Sequence, residues 1–319
     1  MPTSSSSAAK NSTTVRSKTA VRVARAALQT AFIVSDDLGA AFAERMFVTP
    51  RHFDRPARER EVLASGRRFI VDVALRSPRW HGAHTPVTAW RWGLGPTALL
   101  VHGWEGRGSQ LGAFVAPLVT AGMSVVAFDA PGHGDSPGNR LYLTDFADCI
   151  TSVATAVGPL HAAIAHSFGA PALLLAHLRG GVDATRNVAV SPNAVVAEAV
   201  AKFSQVIALD PTDRRVFEQQ LAANTGVALD ALALDRLVAD RDTGLLVIHD
   251  RNDDEVPFAH GSRLAAAWPG AQLLETDGLG HRRILRDPAV IESAVAFASH
   301  GIPAPVSDLV REVDRYLRP

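Results

Sequence analysis

Ser167 stands in the run Ala165-His166-Ser167-Phe168-Gly169, after a short apolar stretch and before a helix-like one. A serine hydroxyl is a weak nucleophile, and it attacks acyl groups only when a base takes its proton and a third group orients that base. A serine on a sharp strand-to-helix turn needs small residues two positions before and after it, because strand and helix approach closely there. Ala165 and Gly169 meet that need, with Ala where Gly is more usual. Partners are found downstream. The apolar run Leu245–Ile248 leads into His249-Asp250-Arg251-Asn252-Asp253-Asp254-Glu255-Val256-Pro257, and Gln272–Leu274 leads into Asp277-Gly278-Leu279-Gly280-His281. Asp250, Asp253, Asp254 and Glu255 are all candidate acids. His281 is the expected base, delivered after the last strand by a glycine-rich turn. Candidate nucleophile, acid and histidine thus each follow an apolar strand-like run, in that order along the chain.

The elements that must position these residues are legible as two kinds of pattern. Between Phe69 and Trp92, apolar residues alternate with polar or small ones, which predicts two antiparallel strands. Thereafter Thr97–His102, Ser124–Phe128, Ala162–Ala165, Asn187–Val190, Leu245–Ile248 and Gln272–Leu274 are short continuous apolar runs, as in buried parallel strands. Helical stretches Gln110–Ala121, Leu143–Val157, Phe168–Leu178, His260–Trp268 and Pro288–Ala298 separate most of them. The alternation predicts an α/β fold, a mostly parallel sheet flanked by helices. About fifty residues between Val190 and Leu245 lack a strand signal. They read as three helices, Ala194–Ile207, Asp213–Ala222 and Leu229–Ala239, broken at Asp210-Pro211. A helical insertion there is expected to cap the strand ends, where ligands bind in open sheets.

On these residues the chain resembles the α/β-hydrolase superfamily from about residue 70 to residue 300. The likeness includes Val101-His102-Gly103-Trp104, Asp129-Ala130-Pro131-Gly132-His133-Gly134-Asp135-Ser136, the serine turn, the Asp253…Val256-Pro257 segment and Gly280-His281. The resemblance implies a Ser167, Asp253, His281 triad, with Asp253 the acid and Asp250 its main rival. It implies an oxyanion hole made by the backbone N–H groups of Trp104 and Phe168. It makes His102, His133 and His166 structural, holding loops by hydrogen bonds, and Gly132 and Gly134 turn formers. Glu105 and Arg107 are expected at the pocket mouth, as a surface ion pair or as readers of substrate polarity.

Composition narrows the rest. The 319 residues carry 32 basic and 32 acidic side chains, so nothing points to nucleic acid. Cys149, the single cysteine, excludes an internal disulfide and a cysteine zinc site, and it is expected to be a buried helix residue. No run reaches the roughly 20 apolar residues of a membrane span. Residues 1–18 read as a disordered tail, basic and Ser-rich as a transit peptide also is, and 19–60 as an N-terminal helical extension with one helix over 20–47. Residues 61–191 with 244–319 read as the core, and 192–243 as the cap. A cytoplasmic location is expected, with no cofactor and with a small-molecule acyl substrate, while the oligomeric state stays open. The expected activity is hydrolysis of a carboxylic ester or related acyl bond. Thioesterase, C–C hydrolase and acyltransferase or perhydrolase activities use the same triad, and the alternative of another class is a non-catalytic ligand-binding protein on this fold.

Overall fold

The continuous apolar runs become the centre of one eight-stranded sheet. In the computed structural model, which describes residues 5–233 and 243–302, the strands are β1 (Arg67–Ala74), β2 (His84–Trp92), β3 (Thr97–Val101), β4 (Ser124–Asp129), β5 (Leu160–His166), β6 (Arg186–Val190), β7 (Gly244–Asp250) and β8 (Gln272–Thr276). Their order is β1-β2-β4-β3-β5-β6-β7-β8. The alternating strands β1 and β2 pair antiparallel at one edge, and β2 joins β4 antiparallel. From β4 to β8 every pairing is parallel. The chain runs from β3 outward to β4 on one side and then to β5 on the other. Strand order therefore reverses at β3, and the crevice beyond the carboxyl ends of β3 and β5 is where such sheets bind ligands.

Both faces of the central strands are covered, which is why the middle positions of β3, β4 and β5 are apolar. Leu99, Val101, Val126, Phe128, Ala163 and Ala165 point to the face covered by α5 (Leu143–Val157) and α6 (Gly169–Leu178). Their neighbours Ala98, Leu100, Val125, Ala127, Ala162 and Ile164 point to the face covered by α4 (Val115–Thr120) and α11 (Pro288–Ala298). Cys149 is fully buried in α5, as expected, and burial pushes its thiol well above the usual range.

Several elements depart from the sequence reading. The stretch expected to be one helix over 20–47 is two, α1 (Ser5–Val34) and α2 (Asp36–Val48). Ser35 is extended between them. Its hydroxyl accepts the Leu38 N–H, and Asp36 and Asp37 sit at the positive end of α2. Helix α1 begins at Ser5, within the stretch expected to be a disordered tail; residues 5–18 contain no Gly or Pro to stop a helix growing back from its packed end. The helix expected at Gln110–Ala121 starts instead as a 3-10 segment, Gly108–Phe114, before α4. Gly112 there lies so close to Val62 that a Cβ would fall 3.2 Å from its methyls. A short helix that the sequence reading did not separate, α3 (Ala57–Ala64), packs on this segment.

The insertion after β6 contains α7 (Val196–Val206), α8 (Pro211–Thr225) and a 3-10 turn at Leu229–Leu232. The remainder of the third expected helix lies outside the described residues. Asp210 caps α8 by accepting the Thr212 and Asp213 N–H groups, with Pro211 at the first turn. Helices α7 and α8 share a separate apolar cluster with α1 and α2, in which Val200, Phe217 and Leu221 meet Leu28, Ala43 and Val48. The described part of the insertion packs against the N-terminal helices and also reaches the segment after β7, where Lys202 donates to Glu255 O and Glu198 pairs with His260. Among the described residues no helix is long and apolar enough to cross a membrane.

Candidate active site

Ser167 follows β5 directly and has a positive φ of 52°. That conformation costs an L-residue on the order of 1–3 kcal/mol and persists only when surroundings enforce it. Here the Ser167 N–H donates to Val190 O (3.0 Å), and Ser167 O accepts from Ala170 and Asn193 N–H groups. The small residues of the turn have a steric cause. A Cβ at Gly169 would lie 2.5 Å from His102 O and 2.9 Å from Val101 O, so β3 and α6 meet at backbone contact. Gly103 is equally constrained, since a Cβ there would stand 3.0 Å from the Ser167 Cβ.

In the loop after β7, Asp253 is the carboxylate that meets His281. His281 Nδ1 donates to Asp253 Oδ2 at 2.8 Å, and the Glu255 and Val256 N–H groups donate to Asp253 Oδ1, each at 2.9 Å. The Asp253 side chain is inaccessible to solvent. Burial pushes its carboxyl up, but the hydrogen bonds from His249, His281 and Val256 outweigh burial and hold it well below the usual carboxylate range. Asp250, the rival, does not reach a histidine. It accepts the Asn252 and Leu279 N–H groups and the Thr276 hydroxyl (2.7 Å), which locks the acid loop to the loop carrying His281.

His249 is a contact that sequence reasoning did not single out. Its Nε2 donates to Val256 O at 3.1 Å and lies 3.4 Å from Asp253 Oδ2, wholly buried. Gly261 in α9 (Phe258–Ala267) leaves the space for that ring, since a Cβ would fall 2.4 Å from its Nδ1. Only the position of His249 at the end of β7, four residues before Asp253, could have signalled it.

The three histidines expected to hold loops are all buried, and burial pushes each below the ordinary histidine range, His133 to about 4 and His166 to about 3. His102 Nε2 accepts the Ala130 N–H while Nδ1 donates to Gly103 O, and His133 Nε2 accepts the Glu105 N–H while Nδ1 donates to Pro131 O. Together they pin the loop after β3 to the loop after β4. His166 donates from Nε2 to His281 O at 3.0 Å, with the two rings 4.6 Å apart. The residue before the serine therefore anchors the backbone of the histidine loop.

Trp104 and Phe168 are neighbours. Their rings pack edge to face at 5.7 Å, Trp104 lies in the turn after β3, and Phe168 caps the N-terminus of α6. Among the described residues neither backbone N–H is hydrogen-bonded to another group. Two free N–H groups next to Ser167, one of them at a helix N-terminus, could suit an anionic oxygen.

Ser167 and His281 open onto one cleft of about 790 Å³. Its other walls come from the segment that follows α2, including Arg51, Phe53, Arg58 and Glu59, and no described residue of the insertion lines it. Residues 234–242 of the expected cap lie outside the described residues. The Val48 O, fixed by the Leu141 N–H, marks where the chain leaves α2 for this segment. Glu105 and Arg107 do line the cleft but do not pair with each other. Glu105 binds Arg51 at 2.7 Å, and Arg107 binds Glu59 at 2.6 Å in a buried pair that Ser109 also joins. The clue in the sequence was the charge-rich run Arg51–Glu61. Among the described residues no cluster of His, Cys, Asp or Glu is arranged to hold a metal ion.

Comparison with known proteins agrees on architecture. The model of the alpha/beta hydrolase family matches residues 98–294, more than half of the chain. No curated protein sequence matches. Among solved structures, the chain is similar to Est1E from Butyrivibrio proteoclasticus with ferulic acid bound (16% identity, TM-score 0.57, covering 67% of this chain and 94% of that one). It is also similar to the carboxylesterase CesB from Bacillus subtilis (16%, 0.54, 77% and 97%) and to a bromoperoxidase from Bacillus anthracis (15%, 0.54, 73% and 99%). At such identities the structural likeness speaks for the fold, and with the family match over the strands that carry Ser167, Asp253 and His281, the chain belongs to the alpha/beta hydrolase family.

Proposed function

We propose that the protein is a serine hydrolase that cleaves a carboxylic ester or closely related acyl bond through an acyl-enzyme. The observation that carries this reading is the fully buried Asp253 carboxylate bound to His281 Nδ1, in a loop that opens with His281 on the same cleft as Ser167. In the proposed mechanism Asp253 fixes the tautomer that leaves His281 Nε2 free to accept the Ser167 proton. Ser167 Oγ attacks the carbonyl carbon, and the N–H groups of Trp104 and Phe168 bind the oxyanion. His281 then protonates the leaving alcohol, and in the second half-reaction it takes a proton from water, which releases the acid and restores Ser167. The insertion and the N-terminal helices serve in this reading as a buttress for the segment that walls the cleft.

Two measurements test it together. Wild-type protein reacts covalently with a fluorophosphonate probe, and Ser167→Ala does not. A panel of p-nitrophenyl esters and thioesters of graded acyl length identifies the preferred bond, and Ser167→Ala loses at least about 10⁴-fold in turnover on whichever is cleaved. A folded wild type that takes no label would instead favour a binding protein on this fold.

A further inference from the structure

The cleft in front of Ser167 contains five arginines and three glutamates, and the pairing among them is uneven. Arg51 is bound by Glu105, Arg107 by Glu59, and Arg282 by Glu255, at 2.7, 2.6 and 2.7 Å. All three carboxylates are thereby neutralised. Arg58, on α3, and Arg286, in the turn that follows the His281 helix, have no carboxylate partner among the described residues. Both are exposed, and both line the cleft together with Gln110, Gly112 and Ala113 of the 3-10 segment, against which α3 and the Ile284–Arg286 turn pack from separate directions.

We propose that the substrate carries, besides the scissile acyl bond, a second group that is anionic, a carboxylate or a phosphate, and that Arg58 and Arg286 hold it. This rests on the hydrolase reading above. The physical case has three parts. A guanidinium presents a planar fork of donors that matches the oxygens of either anion. The unpaired arginines leave the cleft with two net positive charges, and a concave site focuses that field and draws in anions. The volume of about 790 Å³ has room for more than a short acyl chain, and Ser167, Arg58 and Arg286 all line it. The second anionic group takes no part in bond breaking.

The test uses full-length protein and three methyl esters of similar length: dimethyl glutarate (neutral), monomethyl glutarate (a carboxylate) and methyl 4-phosphonobutanoate (a phosphonate). Wild type is expected to favour at least one anionic ester in kcat/KM by about tenfold at low ionic strength, and less in high salt. Which anion wins separates carboxylate from phosphate. In R58Q/R286Q the ratio of anionic to neutral ester falls towards one, and in R58E/R286E the preference moves to the methyl ester of 4-trimethylammoniobutyrate. A structural role alone would not reverse the charge preference. A wild type that cleaves dimethyl glutarate as well as both anionic esters overturns this proposal and leaves the hydrolase reading intact. Should no ester be cleaved, calorimetric titration of Ser167→Ala with monomethyl and dimethyl glutarate decides the matter separately: tighter binding of the monoester supports the anion site, and equal binding refutes it.

Discussion

The two sides of the cleft are held by different physics. On the side of Ser167, the fixings run mostly to backbone groups and, apart from the Asp253 carboxylate, are neutral. His102 and His133 each bridge two main-chain groups, His166 holds the His281 carbonyl, Gly169 and Gly103 let chains touch, and Asp253 is satisfied by two backbone N–H groups and His281. On the side of the 51–62 segment, the fixings are ion pairs. Arg51 binds Glu105, Arg55 binds Asp129, and Arg107 binds Glu59. Short neutral hydrogen bonds in a packed interior set positions finely and respond little to salt. The exposed pair of Arg51 with Glu105 depends on ionic strength, whereas the buried pairs of Arg107 with Glu59 and of Arg55 with Asp129 are screened little. Ser167, Asp253 and His281 thus sit on the side held mostly by hydrogen bonds to backbone, and the facing wall is attached by ion pairs.

This contrast can be broken from either side. The largest effect is expected from Asp253→Asn, which removes the charge that orients His281. It is expected to lower kcat by about 10⁴-fold with little loss of fold, measured by ester turnover beside circular dichroism. A kcat within tenfold of wild type would assign the acid elsewhere. Next comes Glu59→Gln, which leaves Arg107 buried without its counter-charge. Removing one partner of a buried pair typically costs about 3–5 kcal/mol, which denaturant unfolding reads directly. A loss below about 1 kcal/mol would show that this pair is no anchor.

The neutral side has its own signature in pH. His133 is held at about 4 by burial, against about 6.5 in an unfolded chain. As pH falls below about 6.5 the unfolded chain takes up a proton that the native fold refuses until about 4. The contribution of His133 to stability is therefore full above pH 6.5 and is lost towards acid, at about 1.4 kcal/mol per pH unit. Asp129, raised to about 6 by burial, acts with the opposite sign, since the native fold binds its proton first. Unfolding midpoints from pH 7 to pH 4 should fall less steeply in His133→Gln than in wild type, and parallel slopes would count against a neutral buried His133. The smallest effect belongs to Arg51→Ala. Its side chain is 74% exposed, so loss of the pair with Glu105 is expected to change stability by less than about 1 kcal/mol. A larger loss would mean that the exposed end of the wall carries more of the fold than its ion pair does.

The neutral side was legible in the sequence because its requirements are local. A small-x-Ser-x-Gly turn, a His-Gly pair after a buried strand and a Gly-His pair after the last one all state backbone conditions in consecutive residues. Parallel strands showed as unbroken apolar runs for the same reason: each residue of such a strand meets a covered face. The ion-paired wall was not legible. Arg107 meets Glu59 across 48 positions, and Arg55 meets Asp129 across 74. Charged residues carry no period that reveals a partner, so the expectation that Glu105 would pair with nearby Arg107 used proximity in sequence where proximity in space decides. The insertion misled in a related way. Its helices and their capping signals were readable, but the surface they cover depends on the apolar faces of α1 and α2, about 150 residues earlier.

By itself, then, the sequence determined the sheet, the serine turn, and the order of acid and histidine, because strand burial and tight turns impose their demands on neighbouring residues. Only the tertiary structure decided that Asp253 and not Asp250 meets His281, that His249 stands behind Asp253, and that an N-terminal segment carrying Arg51 and Arg58 lines the cleft. Those outcomes depend on which loops and helices converge in space, and pairing between distant charged or apolar surfaces leaves no mark on the spacing of either partner.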